Sequence, residues 1–562
     1  MIPRSLSQTD VLVANGLNTT VFDQEAFWNS RCTQIEKEAK RHNLRAVFQL
    51  IRSSYVKRKP APKNPNHVID KLYISKHSLD PLPLCSVPYQ NDIEDSVPSL
   101  QEFEHVVKKL KNGKATMDIP VEVFKSGPAL FSLYELVVKI WKQRKMPKAW
   151  RHASLIGVPK KAPGELRPIS LSSAGYKIYA SILQQRVLHY VSKWISNTQC
   201  GFLPGRSTSD VLNCINRLIE TSIVHKSPLH ALMIDFAKAF DNVSRSAMQR
   251  ILIDIGMDNR MVERIMDLLT HTTVSVKVGS KESKIIETLN GVRQGCPISP
   301  LLFIVVLNHF LVSVMSRFGG VLHFEFADDV TLVGTDSNVL DDAFQIIQDE
   351  GPAFGLFVAP AKTEKFSVEK GKFISAPIRL LGLHIGDYKV AIQKRIEKAR
   401  TAFRSLYFRL WKTDVSVQTK LRVLNAVVIP TLLYGLETLP IDSERARPLD
   451  YFVYRCIRSI LNIPYDQPGS YDNILMILTC EHRFPNFKWP SEILKERIER
   501  DFWHFLRHHP DVYRWNPEGF KRNTRSSLVT RQALVQRWGN FKYKEMKMMV
   551  DDMLSTYSGV VC

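Results

Sequence analysis

Paired cysteines are missing from this sequence. Eight cysteines, Cys32, Cys85, Cys200, Cys214, Cys296, Cys456, Cys480 and Cys562, are scattered along 562 residues, and no two are spaced C-x-x-C. That pattern excludes a recognisable zinc site and a disulfide framework, and it fits a reducing compartment. Cys480 and His482 have no second pair nearby and read as structural. The N-terminal MIPRSLSQTD lacks the apolar core of a signal peptide, so no secretion is expected. A membrane span is also lacking. The longest apolar run, LLFIVVLNHFLVSVM from Leu301, is interrupted by Asn308 and His309. It falls short of the roughly 20 apolar residues a span needs and reads as a buried core helix, with no membrane partner. Internal repeats and low-complexity tracts are absent.

Negative charge is in short supply. The chain has 55 Asp+Glu against 77 Lys+Arg, a formal net charge of +22, on an ordinary hydrophobic fraction of 44%. Such a surplus points to a polyanionic partner, most simply nucleic acid, with a merely soluble basic protein as the alternative on charge alone. The length suits two to four domains.

What is present alternates between helical and strand patterns. Residues 22–58 carry apolar positions at helical spacing, Phe27, Ile35 and Ala39, then Leu44, Val47, Phe48 and Ile51. VKRKPAPKNPNH then makes a stiff basic linker, because its prolines lack backbone donors. Ser99 and Glu102 form a capping-box signal for a helix that Gly113 is expected to end. ASLIGVPKK and GELRPISL read as strands, the second headed by Arg167. LHALMIDFAKAFDNVS reads as a buried strand, Leu232 to Phe236, turning into a helix near Ser244. TTVSVKVGSKESKIIETL is a hairpin by its alternation, and GVRQGCPISPLLFIVVLNHF is a glycine loop entering a long helix. RLLGLHIGDYKVAI suggests another hairpin, turning at Gly386-Asp387, and from Gln393 onward the pattern is helical.

VLHFEFADDVTLVG, residues 321–334, sets Asp328 and Asp329 side by side on a turn between two apolar strands. Adjacent carboxylates repel. An ordinary turn with two solvated aspartates is the plain reading. The other is a metal site. If the strand ending in Asp235 is a neighbour, three carboxylates converge, and divalent cations about 3.5–4 Å apart would turn repulsion into binding. Magnesium suits such oxygen ligands.

The order of motifs adds to this. MIDFAKAFDNV, GVRQGCPISPLLF, FADDVTLVG and RLLGLHI resemble successive palm motifs of reverse transcriptases. Upstream, LKNGKATMDIPVEVFKSG, IGVPKK, LRPISL and QCGFLPGRST resemble the fingers of the non-LTR (LINE-type) retrotransposon branch. Downstream, IEKARTAF and VIPTLLYGLET resemble its thumb, so the likeness runs over residues 98–465. Ordered blocks of this kind are far more specific than any single motif.

The resemblance implies an α+β right-hand polymerase, with fingers, an antiparallel-sheet palm and a helical thumb, flanked by helical N- and C-terminal extensions. Its expected divisions are 1–97, the extension with its Pro-rich basic linker; 98–388, fingers and palm; 389–465, thumb; and 466–562, an extension of unassigned role. The implied activity is RNA-directed DNA polymerase: nucleotidyl transfer from dNTP to a primer 3′-hydroxyl on an RNA template, with two Mg2+ ions. Asp235, Asp328 and Asp329 match the catalytic metal ligands. Lys160 (with Lys161 an equal candidate by residue type) and Arg167 match triphosphate-binding residues of the fingers. Phe240 matches the bulky residue whose ring would clash with a 2′-hydroxyl, core packing being its other reading. Gln294 and Gly295 match the loop beneath nucleotide and template, Lys362 a lysine that is a candidate proton donor to pyrophosphate, and Gly382 the primer grip.

Basic residues of QKRIEKAR and RCIRSIL, beside Phe403, Tyr407, Trp411, Tyr451 and Tyr454, suit backbone phosphates, with the aromatics mostly in the core. Neither an endonuclease nor a ribonuclease H signal is visible, so target nicking by this chain is not expected. The implied partners are RNA template, DNA primer and dNTPs, in the nucleus after cytoplasmic transit, and the oligomeric state is open. The alternatives are a catalytically silent nucleic-acid-binding relic or truncated copy, and a group II intron maturase, which RQGCPISP and LLYGLET fit less well.

Overall fold

Leu229, Ala231, Leu232, Met233 and Ile234 are all buried, which makes LHALMI a strand covered on both faces. It lies at the centre of the palm sheet in a computed structural model that describes residues 26, 28–30, 32–34, 95–159, 166–278, 281–464, 470–481, 484 and 487–508. The chain divides into two units: residues 59–211 with 227–370, and residues 1–58 with 212–226 and 371–562.

In the first unit, β1 (His152–Pro159) pairs antiparallel with β2 (Leu166–Leu171) at one side of a five-stranded sheet. The palm's central strand is β3 (Leu229–Ile234). β4 (Thr272–Val278) runs parallel to β1 and antiparallel to β5 (Lys281–Glu282) and β6 (Ile286–Thr288), as the alternation over 272–289 predicts. The hairpin of β7 (Leu322–Phe326) and β8 (Asp329–Gly334) and the strand β9 (Glu364–Glu369) are this unit's other strands of the palm sheet, in the order β9-β3-β8-β7. Neighbours in this order are antiparallel, with Ile234 opposite Val330 and Leu229 opposite Val368. The central strand begins three residues and ends two residues before the expected Leu232–Phe236, because its pairing starts with Leu229 opposite Val368 and stops with Ile234 opposite Val330.

Helices bury the sheets. α1 (Leu100–Lys109) starts at Ser99, whose hydroxyl accepts from Glu102 N at 3.1 Å, and buries Phe103, Val106 and Val107 at helical spacing. It stops at Leu110, which turns extended, so Gly113 lies in the following loop at φ +70° and is not the cap. α2 (Ala174–Val191) is capped by Ser173. α3 (Arg245–Asp254) opens at Ser244, where the sequence places its start. α4 (Ser299–Met315) is the apolar run from Leu301. Phe303 and Phe310 are fully buried on it, so it is a core helix. Each such ring contributes about 1.5–3 kcal/mol of burial. α5 (Ser337–Glu350) also packs on the palm sheet.

The second unit is mostly helical. Its hairpin, β10 (Ile378–Leu380) with β11 (Leu383–Ile385), turns at Leu381-Gly382, not at Gly386-Asp387. Both turn residues have positive φ, +44° and +91°, and Tyr434 Oη donates to Leu381 O at 2.8 Å. Asp387 instead caps α6 (Tyr388–Ser405), accepting from Lys389 N at 2.7 Å, so the helix begins five residues ahead of Gln393. The run 417–438 is long and apolar enough to cross a membrane, and 72% of its window is buried in this unit. α7 (Ser443–Ile460) and α8 (Pro490–His508) pack against each other. Phe403 and Trp411 stack at 4.9 Å inside the core, whereas Phe408 is 84% exposed. The helix Thr208–His225 lends its later turns to this unit, where Asn216 Nδ2 donates to Thr438 Oγ1 at 3.0 Å.

Candidate active site

Antiparallel pairing brings the acids to one end of the palm. β3 ends at Ile234, opposite Val330, so continuing the register by one residue sets Asp235 opposite Asp329. The chain beyond β3 stays extended: Asp235 O accepts from Ala359 N at 2.8 Å, and Ala237 N donates to Phe357 O at 2.7 Å. On the other side, Phe326 pairs with Asp329 across a turn made by Ala327 and Asp328. Ala327 has φ +64°, a left-handed conformation that residues with a Cβ rarely adopt.

These carboxylates feel one another. Desolvation holds the Asp328 carboxyl above its ordinary value. The Asp235 charge pushes the same way, while its own backbone amide, Arg167 and Lys362 pull back. Asp329 is pushed to about 6 by desolvation, then by Asp328 and Asp235. Two cations among the described residues act on this group: Lys362, whose Nζ lies 3.0 Å from Asp235 Oδ2, and Arg167 at the head of β2. Asp235, Asp328, Asp329, Lys362 and Arg167 are thus brought together. Among the described residues, no three His, Cys, Asp or Glu side chains stand ready-made around a single cation position.

A second group flanks the acids. Phe240 follows the left-handed Lys238 on a single helical turn. Its ring stacks on Phe303 at 4.7 Å and meets Phe202 edge-on at 6.0 Å, so it is packed on one side while only half-buried. Gln294 Nε2 donates to Asp241 Oδ1 at 3.1 Å, and Gln294 O accepts from Ser170 N of β2 at 2.7 Å. Gly295, at φ +117°, has no room for a side chain: a Cβ there would sit 2.7 Å from Ser170 O. Lys160 lies outside the described residues. Gly382 belongs to the other unit, at the β10–β11 turn, where a Cβ would lie 3.5 Å from the Tyr434 ring.

Sequence reasoning gave no role to Gln199, which sits in QCGFLPGRST. It is fully buried, and its Oε1 accepts from Ala327 N at 3.1 Å. It also gave none to Glu325, which is 1% exposed on β7 and hydrogen-bonded to His323 and to Thr198 Oγ1. Neither stands out by pattern: Gln199 follows the polar Ser196-Asn197-Thr198, and Glu325 shares its strand face with His323.

Residues 158–385 match the family model described as reverse transcriptase (RNA-dependent DNA polymerase). The chain is 24% identical over 354 residues to the Retrovirus-related Pol polyprotein from type-1 retrotransposable element R2 of Popillia japonica, covering 58% of this chain and 50% of that protein. It is 22% identical over 436 residues to the R2DM polyprotein of Drosophila melanogaster, covering 71% and 41%. To the probable RNA-directed DNA polymerase from transposon BS, also of Drosophila melanogaster, it is 23% identical over 461 residues, covering 73% and 49%. The chain spans about half the length of these relatives. Among solved structures, telomerase from Candida tropicalis with a fragment of telomeric RNA aligns at TM-score 0.38 and 13% identity, covering 68% of this chain and 67% of that one. Telomerase from Candida albicans aligns at TM-score 0.36 and 16% identity, covering 73% and 74%.

Proposed function

We propose, for a chain whose residues 158–385 form a reverse transcriptase domain of the non-LTR retrotransposon kind, that it is an RNA-directed DNA polymerase with an α+β right-hand fold. The observation that carries this is the meeting of Asp235, Asp328 and Asp329 at one end of neighbouring strands, with charges that disfavour one another. Isolated, that arrangement is unfavourable, and a bound cation reverses its sign.

The family generally uses divalent metal ions. The donor set here fits them: it is all oxygen, its charges repel one another, and Asp329 and Asp235 keep exposed surface where water and phosphate could complete the coordination. Magnesium is usually bound by one or two carboxylates plus substrate phosphates, so a three-residue protein cage is not required. Asp235 and Asp328 would be the main ligands of two Mg2+ ions, with Asp329 beside them. When bound, such ions lower the pKa of a primer 3′-hydroxyl and neutralise charge on the leaving pyrophosphate.

The chain's own side chains would do the rest. Arg167, and Lys160 by motif, would hold the triphosphate of the dNTP. Lys362, displaced from Asp235 by a cation, would turn its ammonium to the leaving phosphate as a proton donor. Phe240, braced by Phe303, would present a fixed ring edge to the sugar and reject a 2′-hydroxyl. Gln294 and Gly295 would line the floor beneath base and template, and Gly382 would grip the primer. Residues 389–465 would serve as thumb, with an RNA template and DNA primer as partners and the nucleus as workplace.

The test is direct. Purified chain is given a poly(rA) template, a DNA primer, dTTP and Mg2+. Extension that vanishes in Asp328→Ala is expected. Binding without extension, while a control polymerase works, would overturn the reading in favour of a silent relic.

A further inference from the structure

Gln199 is a polar side chain with no exposed surface, and such groups persist when their hydrogen bonds are needed. Its Oε1 accepts from two backbone amides, Gly201 N at 2.7 Å and Ala327 N at 3.1 Å. Its Nε2 has no partner among the described residues, so the oxygen is the working end. Ala327 is the turn residue bonded to Asp328, and its φ of +64° is one that an alanine adopts only when held.

The segment around Gln199 is itself fixed against β7. Cys200 N donates to Glu325 O at 2.8 Å, and Glu325 N donates to Thr198 O at 3.1 Å. Arg206 clamps the loop from behind, donating to Ser196 O at 2.8 Å and Gln199 O at 2.6 Å. Gly201 allows the close approach, since a Cβ there would lie 2.1 Å from Ala327 N. A peptide plane held this way cannot rotate, and rotation at Ala327 would swing the carboxylate of the next residue.

We propose that Gln199 is a positioning residue: its side-chain oxygen fixes the Ala327 amide and thereby the aim of Asp328 and Asp329. Its effect on catalysis rests on the polymerase reading; its hold on the turn does not. The oxygen, not the amide nitrogen, carries the role, so a glutamate substitutes for it and an isosteric methionine does not.

The full chain is prepared as wild type, Gln199→Met, Gln199→Glu and Gly201→Ala. Hydrogen exchange is followed in the peptide containing Ala327. Mn2+ binding without nucleic acid is read by electron paramagnetic resonance, and primer extension gives kcat and the dNTP KM. Gln199→Met is expected to speed exchange at Ala327, weaken Mn2+ binding, and cut kcat by about 100-fold, the scale of an ångström-sized misplacement. KM should change by less than about 2-fold, because substrate contacts are untouched. Gln199→Glu should restore slow exchange and most of kcat, and Gly201→Ala should reproduce the methionine defect from the other side of the contact. A folded Gln199→Met with wild-type exchange and Mn2+ affinity overturns the proposal, as does loosened exchange with unaltered kcat in an active enzyme. Loss of cooperative melting in both Gln199→Met and Gly201→Ala also overturns it, since the segment is then merely core. Should wild type fail to extend primers while Gln199→Met still loosens Ala327 and Mn2+ binding, the turn clamp stands and the polymerase reading falls.

Discussion

Lys362 Nζ lies 3.0 Å from Asp235 Oδ2, an ion pair between the turn after the 357–359 segment and the end of β3. A cation bound at Asp235 must compete with that ammonium, whose exposed ion pair with Asp235 is a weak one. Lys362→Met is therefore expected to lower the Mg2+ concentration needed for half-maximal extension. It should also lower kcat by about 100-fold if the ammonium supplies the proton to pyrophosphate. A Mg2+ titration of single-turnover extension reads both, and an unchanged kcat removes the proton-donor role.

Asp329 carries a pH prediction. Its carboxyl is raised from 3.8 to about 6, so between those values the folded protein binds a proton that the unfolded chain has lost. Stability in EDTA should fall as pH rises through that window, because the slope follows the difference in bound protons. Asp329→Asn should therefore gain in melting temperature relative to wild type from pH 4 to pH 7. A difference that is flat, or of the opposite sign, contradicts the electrostatic account. With Mg2+ present, extension by wild type should rise through pH 6 as the acids become available to the metal.

Phe240 does two things at once. Its ring is stacked on Phe303 and edge-on to Phe202, so Phe240→Ala is expected to destabilise the protein by about 1–3 kcal/mol. If the ring also guards the sugar pocket, the same variant should incorporate rNTPs readily. Competition between dTTP and UTP on poly(rA) decides this: lost stability with intact sugar discrimination leaves only the packing role.

Gly295→Ala tests the loop beneath the nucleotide. Both the φ of +117° and the 2.7 Å approach to Ser170 O oppose a side chain. The loop must shift, at a cost of about 1–3 kcal/mol for a strained backbone. The expected result is a higher dNTP KM than in Gln294→Ala, with both variants still bound to primer–template in a mobility-shift assay. An unaltered KM in Gly295→Ala would remove the loop from the nucleotide site.

The acid cluster could be read from the sequence because its scaffold is local. LHALMI and VTLV are apolar enough to be buried strands, and a turn between strands must project whatever residues it carries. The Gln199 clamp was not readable, because the residue it holds, Ala327, lies 128 residues further on, and a lone glutamine gives no periodic signal. The hairpin turn at Gly386-Asp387 was misplaced for a related reason. Gly-Asp is a strong turn pair, and Gly386 does have φ +93°, but Leu380 pairs with Leu383, so the hairpin turns at Leu381-Gly382, where Tyr434 holds the Leu381 carbonyl. Asp387 found a different use for its oxygen, at a helix start. Glu325 looks like the polar half of an alternating strand, yet it is buried, because the 198–200 segment pairs along the edge of β7 and Thr198 Oγ1 reaches its carboxylate.

The central strand β3 has β8 on one side and β9 on the other, and β9 is the last of the palm strands of this unit to be synthesised. A growing chain that has reached Val358 already contains Asp235, Asp328 and Asp329, yet β3 still offers one unpaired row of amides and carbonyls. Open edges of that kind recruit other strands. On the ribosome, β3 keeps that open edge until Glu364–Glu369 emerges, and a chaperone that covers an apolar strand edge would protect it over that interval.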